Sequence, residues 1–241
     1  MAKDTIVLLP GYDGDGDKTF AQLVQLIKND FNCIVVNYPY FRQTERAYST
    51  PDLIAYIHSL VEAKHLTKVH LLGFSMGGFI ATGYALNYPK SIISLNLISS
   101  SIKPQLSIFY RFCLQISYYA FKIPTLAKLF SFLYTSKMLR PLTKKSPLPL
   151  PRPDFPSKEG YPVFGTLANV MHQTLKSMNE VAIKELEINK IAILFKDDLS
   201  FPSDNYYQLL ANSGFKVIVK ERGGHAISTN YWNLVAQNLY Q

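Results

Sequence analysis

The chain has 241 residues, 48% of them hydrophobic and 17% charged. That balance excludes a disordered chain and leaves room for one α/β domain with a sizeable insertion, or for two small domains. The formal net charge is +8, and the two cysteines, Cys33 and Cys113, lie far apart, which argues against a disulfide framework or a cysteine metal site.

In chain order, Thr5–Leu9 (TIVLL) predicts a short strand and is too brief for a signal peptide. A Gly/Asp loop follows, then a helix-like stretch, Phe20–Ile27. Asp13, Asp15 and Asp17 alternate as in a calcium loop, but no glutamate follows at the required spacing, so a solvated turn is expected. PGYDGDG lacks the Lys-Ser/Thr ending of a phosphate-binding loop and contains no G-x-G-x-x-G, which argues against a nucleotide site. Cys33–Tyr38 (CIVVNY) predicts the second strand, with Cys33 a reduced core thiol. No apolar run approaches the ~20 residues of a spanning helix. A reducing, cytoplasmic location is the expectation.

Thr50–Ala63 predicts a helix with Thr50 as N-cap and Pro51 at its first position. Val69–Gly73 is the third strand, Met76–Tyr88 the helix behind it, and Ile93–Ser99 the fourth strand. Continuous apolar strands separated by helices predict a parallel sheet covered on both faces. From Ile102 to Lys190 this rhythm breaks. Aromatic-rich helical stretches (106–121 and 125–134) lead into a segment, Pro141–Pro162, holding seven of the fourteen prolines, and a final helix is expected over Gly165–Leu186. Alternation resumes with a strand at Ile191–Phe195, a helix near Asp204–Ser213, a strand at Lys216–Lys220 and a closing helix at Tyr231–Tyr240. The layout is a doubly wound, mostly parallel α/β core (1–101 and 191–241) interrupted by a helical cap insertion (102–190). That insertion holds 13 basic and 5 acidic residues, so it carries the entire excess charge, with no acid between Lys103 and Arg152.

Between the third strand and its helix runs G-F-S-M-G, residues 73–77. Gly73 and Gly77 permit a sharp strand-to-helix turn that would lift the Ser75 hydroxyl to the top of the sheet, the geometry of a nucleophile elbow. The five-residue pattern alone is weak. A serine nucleophile needs a base, and the base needs a third group to hold it. His58 and His65 fall on or beside a predicted helix, His70 in a strand and His172 in the insertion. Only His225 follows a predicted strand in a glycine-flanked loop, where the carboxyl edge of a sheet delivers side chains to a crevice. Asp197 and Asp198, just past Phe195, are both placed to be the acid.

The order of these residues resembles the α/β-hydrolase superfamily, whose chain order is nucleophile, acid, histidine. The resemblance implies that fold, with 102–190 as cap. Its acid loop reads Asp, three residues, Pro; Asp198 and Pro202 match, which selects Asp198 and leaves Asp197 as runner-up. LPGYDGDG resembles the family's H-G-x-x-G loop at Gly11 and Gly14, with Pro10 in place of the histidine. The implied oxyanion donors are the backbone N–H groups of Tyr12 and Met76, and no metal or cofactor is implied.

The expected activity is hydrolysis of a carboxylic ester or thioester with an apolar acyl chain, through an acyl-enzyme. One version resembles the methyl esterases that cleave pimeloyl-carrier-protein esters in biotin synthesis; another is a lysophospholipase-like enzyme at a membrane surface. A third reading is a non-catalytic binding protein that kept the fold. The aromatics from Phe109 to Tyr134 suggest an apolar acyl channel. Arg111, Lys122, Lys137 and Arg140 suggest attraction for acyl carrier protein, a coenzyme A ester or an anionic lipid surface. No nucleic-acid motif is present, and no nucleic-acid partner is expected.

Overall fold

The computed structural model of the chain describes residues 3–41, 46–123, 125–129, 157–225 and 229–239. Six strands form one sheet: β1 (Asp4–Leu9), β2 (Phe31–Val35), β3 (Val69–Phe74), β4 (Ile92–Ile98), β5 (Asn189–Phe195) and β6 (Lys216–Lys220). Their order is β2-β1-β3-β4-β5-β6 and every pairing is parallel. The labelled helices are α1 (Gly16–Ile27), α2 (Thr50–Glu62), α3 (Met76–Asn87), α4 (Ile108–Ala120), α5 (Ser157–Ser177), α6 (Glu180–Glu185), α7 (Ser203–Asn212) and α8 (Thr229–Asn238).

Parallel neighbours cannot be joined by tight hairpins, so the chain crosses over through helices and covers both faces of the sheet. Alternation along β1 divides the core. Ile6 and Leu8 pack with Phe20, Leu23 and Ile27 of α1 and with Trp232 and Val235 of α8. Val7 and Leu9 face the other way, toward Leu53, Ile54 and Ile57 of α2 and Phe79 and Ile80 of α3. Each such side chain contributes about 1.5–3 kcal/mol on burial. Helix α3 is apolar on every side, and every residue from Met76 to Ala85 is buried, as expected for a helix enclosed by other layers.

Several element boundaries differ from expectation. The N-cap of α2 is Ser49, one residue before Thr50, because Asp52 three positions on completes a reciprocal capping box: Ser49 Oγ accepts from the Asp52 N–H (3.2 Å) and the Asp52 carboxylate accepts from the Ser49 N–H (2.8 Å). Helix α1 starts at Gly16 rather than Phe20. Asp15 caps it by accepting from the Lys18 N–H, and Asn37 Oδ1 accepts from the Gly16 and Asp17 N–H groups. The aspartates are therefore not all a solvated turn. The stretch 165–186 is two helices, because Asn179 opens a new N-cap for α6.

Helix α5 is fastened to the chain at the start of α2. The Tyr48 N–H donates to Thr166 Oγ1 (2.8 Å), Asn169 Nδ2 donates to the Tyr48 carbonyl (3.1 Å), and the Thr50 N–H donates to Gln173 Oε1 (2.7 Å). This latch sets which face of α5 overhangs the sheet. Among the described residues no helix is long and apolar enough to cross a membrane.

From β1 the chain moves out to the edge strand β2, then returns past β1 to β3. The winding direction therefore reverses between β1 and β3. Loops leaving their carboxyl ends diverge and open a crevice at that point.

Candidate active site

Ser75 stands at that crevice, between β3 and α3, with φ +53° and ψ −123°. A non-glycine residue in such a conformation costs on the order of 1–3 kcal/mol and persists only where its surroundings hold it. Here the Ser75 N–H donates to the Ile98 carbonyl (3.1 Å), and the Ser75 carbonyl accepts from the Gly78 N–H (3.0 Å) and from Ser100 Oγ (2.5 Å). A Cβ at Gly73 would stand 2.5 Å from the Gly77 carbonyl oxygen, and one at Gly77 would collide with the carbonyl oxygens of Leu9 and Pro10. The two glycines expected to frame the turn are thus required by close backbone approach. Gly78, not singled out in the sequence, is held to glycine by the Ser100 side chain.

His225 arrives from a loop 150 residues further on, with Nε2 2.9 Å from Ser75 Oγ. Its Nδ1 lies 3.1 and 3.0 Å from the two Asp198 carboxylate oxygens. A carboxylate only accepts, so Nδ1 carries the proton and neutral Nε2 accepts from the serine hydroxyl. The imidazole stacks between Phe74 (centroids 5.4 Å) and Phe201 (5.7 Å). Asp198 is buried, 1% exposed. Burial pushes its pKa up, but the His225 hydrogen bond and charge, with the Phe201 and Ser200 N–H groups, outweigh that and hold it below the usual carboxylate value of 3.8. Of the alternative acids, Asp198 meets the histidine.

The loop after β1 closes the other side. A Cβ at Gly11 would be 3.5 Å from Ser75 Cβ, so this backbone lies against the serine. Gly14, with φ +74°, donates its N–H to the Gly11 carbonyl (3.1 Å), which holds the Gly11–Tyr12 peptide, and the Tyr40 hydroxyl donates to the Tyr12 carbonyl (2.9 Å) of the next one. Met76 is the first residue of α3, where N–H groups have no intrahelical partner.

A pocket of about 50 Å³ lies over Ser75, walled by Phe79, Leu106, Leu167, Met171, Phe201 and Tyr206 among others. Such a space admits only a few heavy atoms, given that one water needs about 10–15 Å³ on the same measure. Among the described residues, none of the expected channel aromatics from Phe109 to Phe121 lines it. Phe109 and Phe112 on α4 are 68% and 62% exposed, whereas Phe121 is in the core. Phe130, Phe132 and Tyr134, like Lys137 and Arg140, lie outside the described residues. Arg111 is exposed, with Nε donating to the Leu106 carbonyl (3.0 Å), and Lys122 Nζ sits 4.3 Å over the Tyr118 ring. Neither is brought to Ser75. Apart from Ser75, Met76 and Pro202, the pocket residues and Ser100 carry no sequence signal beyond apolar periodicity and the Ser99–Ser101 run.

Three of the other four histidines have structural partners, and His65 stands in the turn after α2 with φ +53°. His58 Nδ1 lies 3.2 Å from the Tyr84 hydroxyl, His70 Nδ1 lies 2.8 Å from Ser94 Oγ, and His172 stacks on Tyr118 (centroids 4.0 Å). Lys190, counted among the insertion's cations, is buried and donates to the carbonyls of Ile183, Lys184 and Leu186.

A strained serine between strand and helix, met by a histidine from a later loop at the carboxyl edge of a parallel sheet, defines a hydrolase fold of one type. The chain belongs to the alpha/beta hydrolase fold family, whose model matches residues 4–133. Over 103 residues it is 33% identical to monoacylglycerol lipase ABHD6 of Bos taurus, covering 40% of this chain and 30% of that protein. It is also 28% identical to lipase 1 of Psychrobacter immobilis over 106 residues, covering 42% and 33%. The chain thus spans about a third of the length of these curated relatives. A thermophilic esterase structure from Thermogutta terrifontis superposes over 99% of this chain and 89% of its own, with TM-score 0.70 and 14% identity. That likeness is one of fold.

Proposed function

We propose that the protein is a serine hydrolase of carboxylic esters, with Ser75 as nucleophile, His225 as base and Asp198 as the group that orients the histidine. The observation that carries this reading is the unbroken line from Ser75 Oγ through the His225 ring to Asp198. The sequence relatives named as lipases support the ester as substrate class.

In this mechanism His225 Nε2 takes the hydroxyl proton as Ser75 Oγ bonds to the acyl carbon. The carbonyl oxygen becomes an oxyanion held by the N–H groups of Met76 and Tyr12, the former aided by the positive end of α3. His225 returns the proton to the leaving alkoxide or thiolate, and the acyl group remains on Ser75. Water, deprotonated by the same nitrogen, releases the acid and restores the serine. Residues 102–190 serve as the cap, with Leu106, Leu167 and Met171 bounding the acyl pocket.

The size of that pocket favours a short apolar acyl or alkyl group beside the reacting carbon. A carrier-bound pimeloyl methyl ester, a thioester, or a coenzyme A ester draws its support from the basic insertion alone. A lipid-surface substrate has one observation more: Ile108, Phe109, Phe112 and Ile116 stand exposed in a row along α4 beside Arg111. Fluorophosphonate labelling followed by hydrolysis of p-nitrophenyl butyrate tests the reading. Label and turnover are expected in the wild-type protein and absent from Ser75→Ala. An unlabelled, inactive wild-type protein would leave the fold as a binding module.

A further inference from the structure

Beside the serine pocket lies a second, larger cleft of about 770 Å³. The two share the wall formed by Pro104, Gln105 and Leu106, and Asn205. That wall is held from both sides: the Gln105 N–H donates to the Tyr206 hydroxyl (3.0 Å), and Arg111 Nε donates to the Leu106 carbonyl (3.0 Å). The lining of the cleft is basic. Lys103, Arg111, His172 and Lys176 border it, and no carboxylate does among the described residues. Lys103 is paired with Glu180, while Arg111 and Lys176 have no carboxylate partner among the described residues. Two cations without a carboxylate partner among the described residues therefore face one cleft that adjoins the serine pocket.

We infer that this cleft is an anion subsite taking the phosphate of a phosphorylated ester whose acyl carbon reaches Ser75. The inference rests on the ester-hydrolase reading for the Ser75 end alone. A phosphate monoester carries about −1.5 to −2 charge near pH 7, which matches the charge of Arg111 and Lys176. Arg111 can present its terminal amino groups as a fork and Lys176 acts as a point charge. His172 adds a neutral donor: burial first, then Lys176 and Lys122, keep its pKa below 6.5. A solvent-exposed pair of cations would normally be worth little, but a cleft wall of low polarizability on one side focuses the field.

The deciding comparison uses two soluble esters with the same acyl group, 1-butyrylglycerol and 1-butyrylglycerol 3-phosphate. For the wild-type protein kcat/KM is expected to favour the phosphorylated ester by about tenfold or more, the effect of one charge-assisted contact. In Arg111→Gln/Lys176→Gln that preference should fall below about twofold. In Lys64→Gln/Lys90→Gln, which removes the same charge from surfaces away from the cleft, it should remain. Melting temperatures of the variants establish that each is folded. Equal turnover of the two esters by the wild type, or a preference that survives Arg111→Gln/Lys176→Gln, would overturn the proposal. So would a preference seen only with long-chain lysophosphatidate in vesicles, since that is attraction to a charged lipid surface. If neither ester is cleaved, the hydrolase reading fails separately. Calorimetric titration with the uncleavable ether 1-O-butylglycerol 3-phosphate then decides the subsite: saturable binding lost in Arg111→Gln/Lys176→Gln supports it, and no binding overturns it.

Discussion

Asp197 and Asp198 are adjacent in the chain, yet their carboxylates hold different parts of one loop. Asp198 receives the His225 ring, whereas Asp197 Oδ1 accepts the backbone N–H groups of Gly223 (2.8 Å) and Gly224 (2.7 Å). One aspartate orients the imidazole and the other fixes the backbone that carries it. Asp198→Asn is expected to lower kcat on p-nitrophenyl butyrate by about 10⁴, because an amide donor stabilises the wrong histidine tautomer. Asp197→Asn keeps an accepting oxygen for both glycines and should cost no more than about tenfold. Equal losses would merge the two roles.

Ser75→Ala is expected to remove fluorophosphonate labelling and nearly all turnover. A residual rate above the uncatalysed one can persist, since binding and the oxyanion donors remain. Urea midpoints should change little, because alanine at this position keeps the backbone hydrogen bonds and loses only the hydroxyl. Undiminished hydrolysis would move the nucleophile elsewhere.

Ser100→Ala should destabilise the fold by about 1–3 kcal/mol, measured by urea denaturation. It withdraws a donor from a buried carbonyl at the strained turn. Activity should fall with it, as the turn relaxes. A variant as stable as the wild type would show that water replaces the hydroxyl.

Gly77→Ala puts a methyl group against the backbone carbonyls of Leu9 and Pro10, which no rotamer can avoid. Since α3 is enclosed on all sides, the helix must shift away from β1, at a cost of at least about 1–3 kcal/mol. Soluble yield and thermal melting would register this. The α2-facing Gly83, which meets only the flexible end of Ile54, should tolerate alanine better.

Stability should decline with acidity before the carboxylates titrate. Burial lowers the His70 pKa below 6.5, against the opposing pull of Asp4, and His172 is shifted in the same direction. The unfolded chain therefore binds protons more readily than the folded one. This contribution is complete above about pH 6.5 and is lost as pH falls through the folded-state values. Denaturation midpoints measured from pH 7.5 to pH 5 should drop less steeply in His70→Gln/His172→Gln than in the wild-type protein. Parallel slopes would count against it.

Local chemistry made the core and the nucleophile legible. Unbroken apolar runs at 5–9, 69–73 and 191–195 mark strands covered on both faces, and glycines at 73 and 77 mark a turn that a Cβ would block. His225 stood apart because it alone among five histidines follows a strand in a glycine-flanked loop. These signals lie within a few residues of each other, so the chain records them directly.

The choice between two neighbouring aspartates, the Ser100 support and the pocket walls belong to tertiary structure. Adjacent residues past a strand point to opposite sides, and which side holds the histidine depends on how a loop 27 residues later returns. Helix α4 has the aromatic content expected of an acyl channel, but composition does not say which face meets the core. The latch between α5 and Tyr48 fixes the helix that gives Leu167 and Met171 to the pocket, while Phe109 and Phe112 of α4 stand exposed. Orientation of a helix is fixed by what it packs against, and that partner is more than a hundred residues away in the chain.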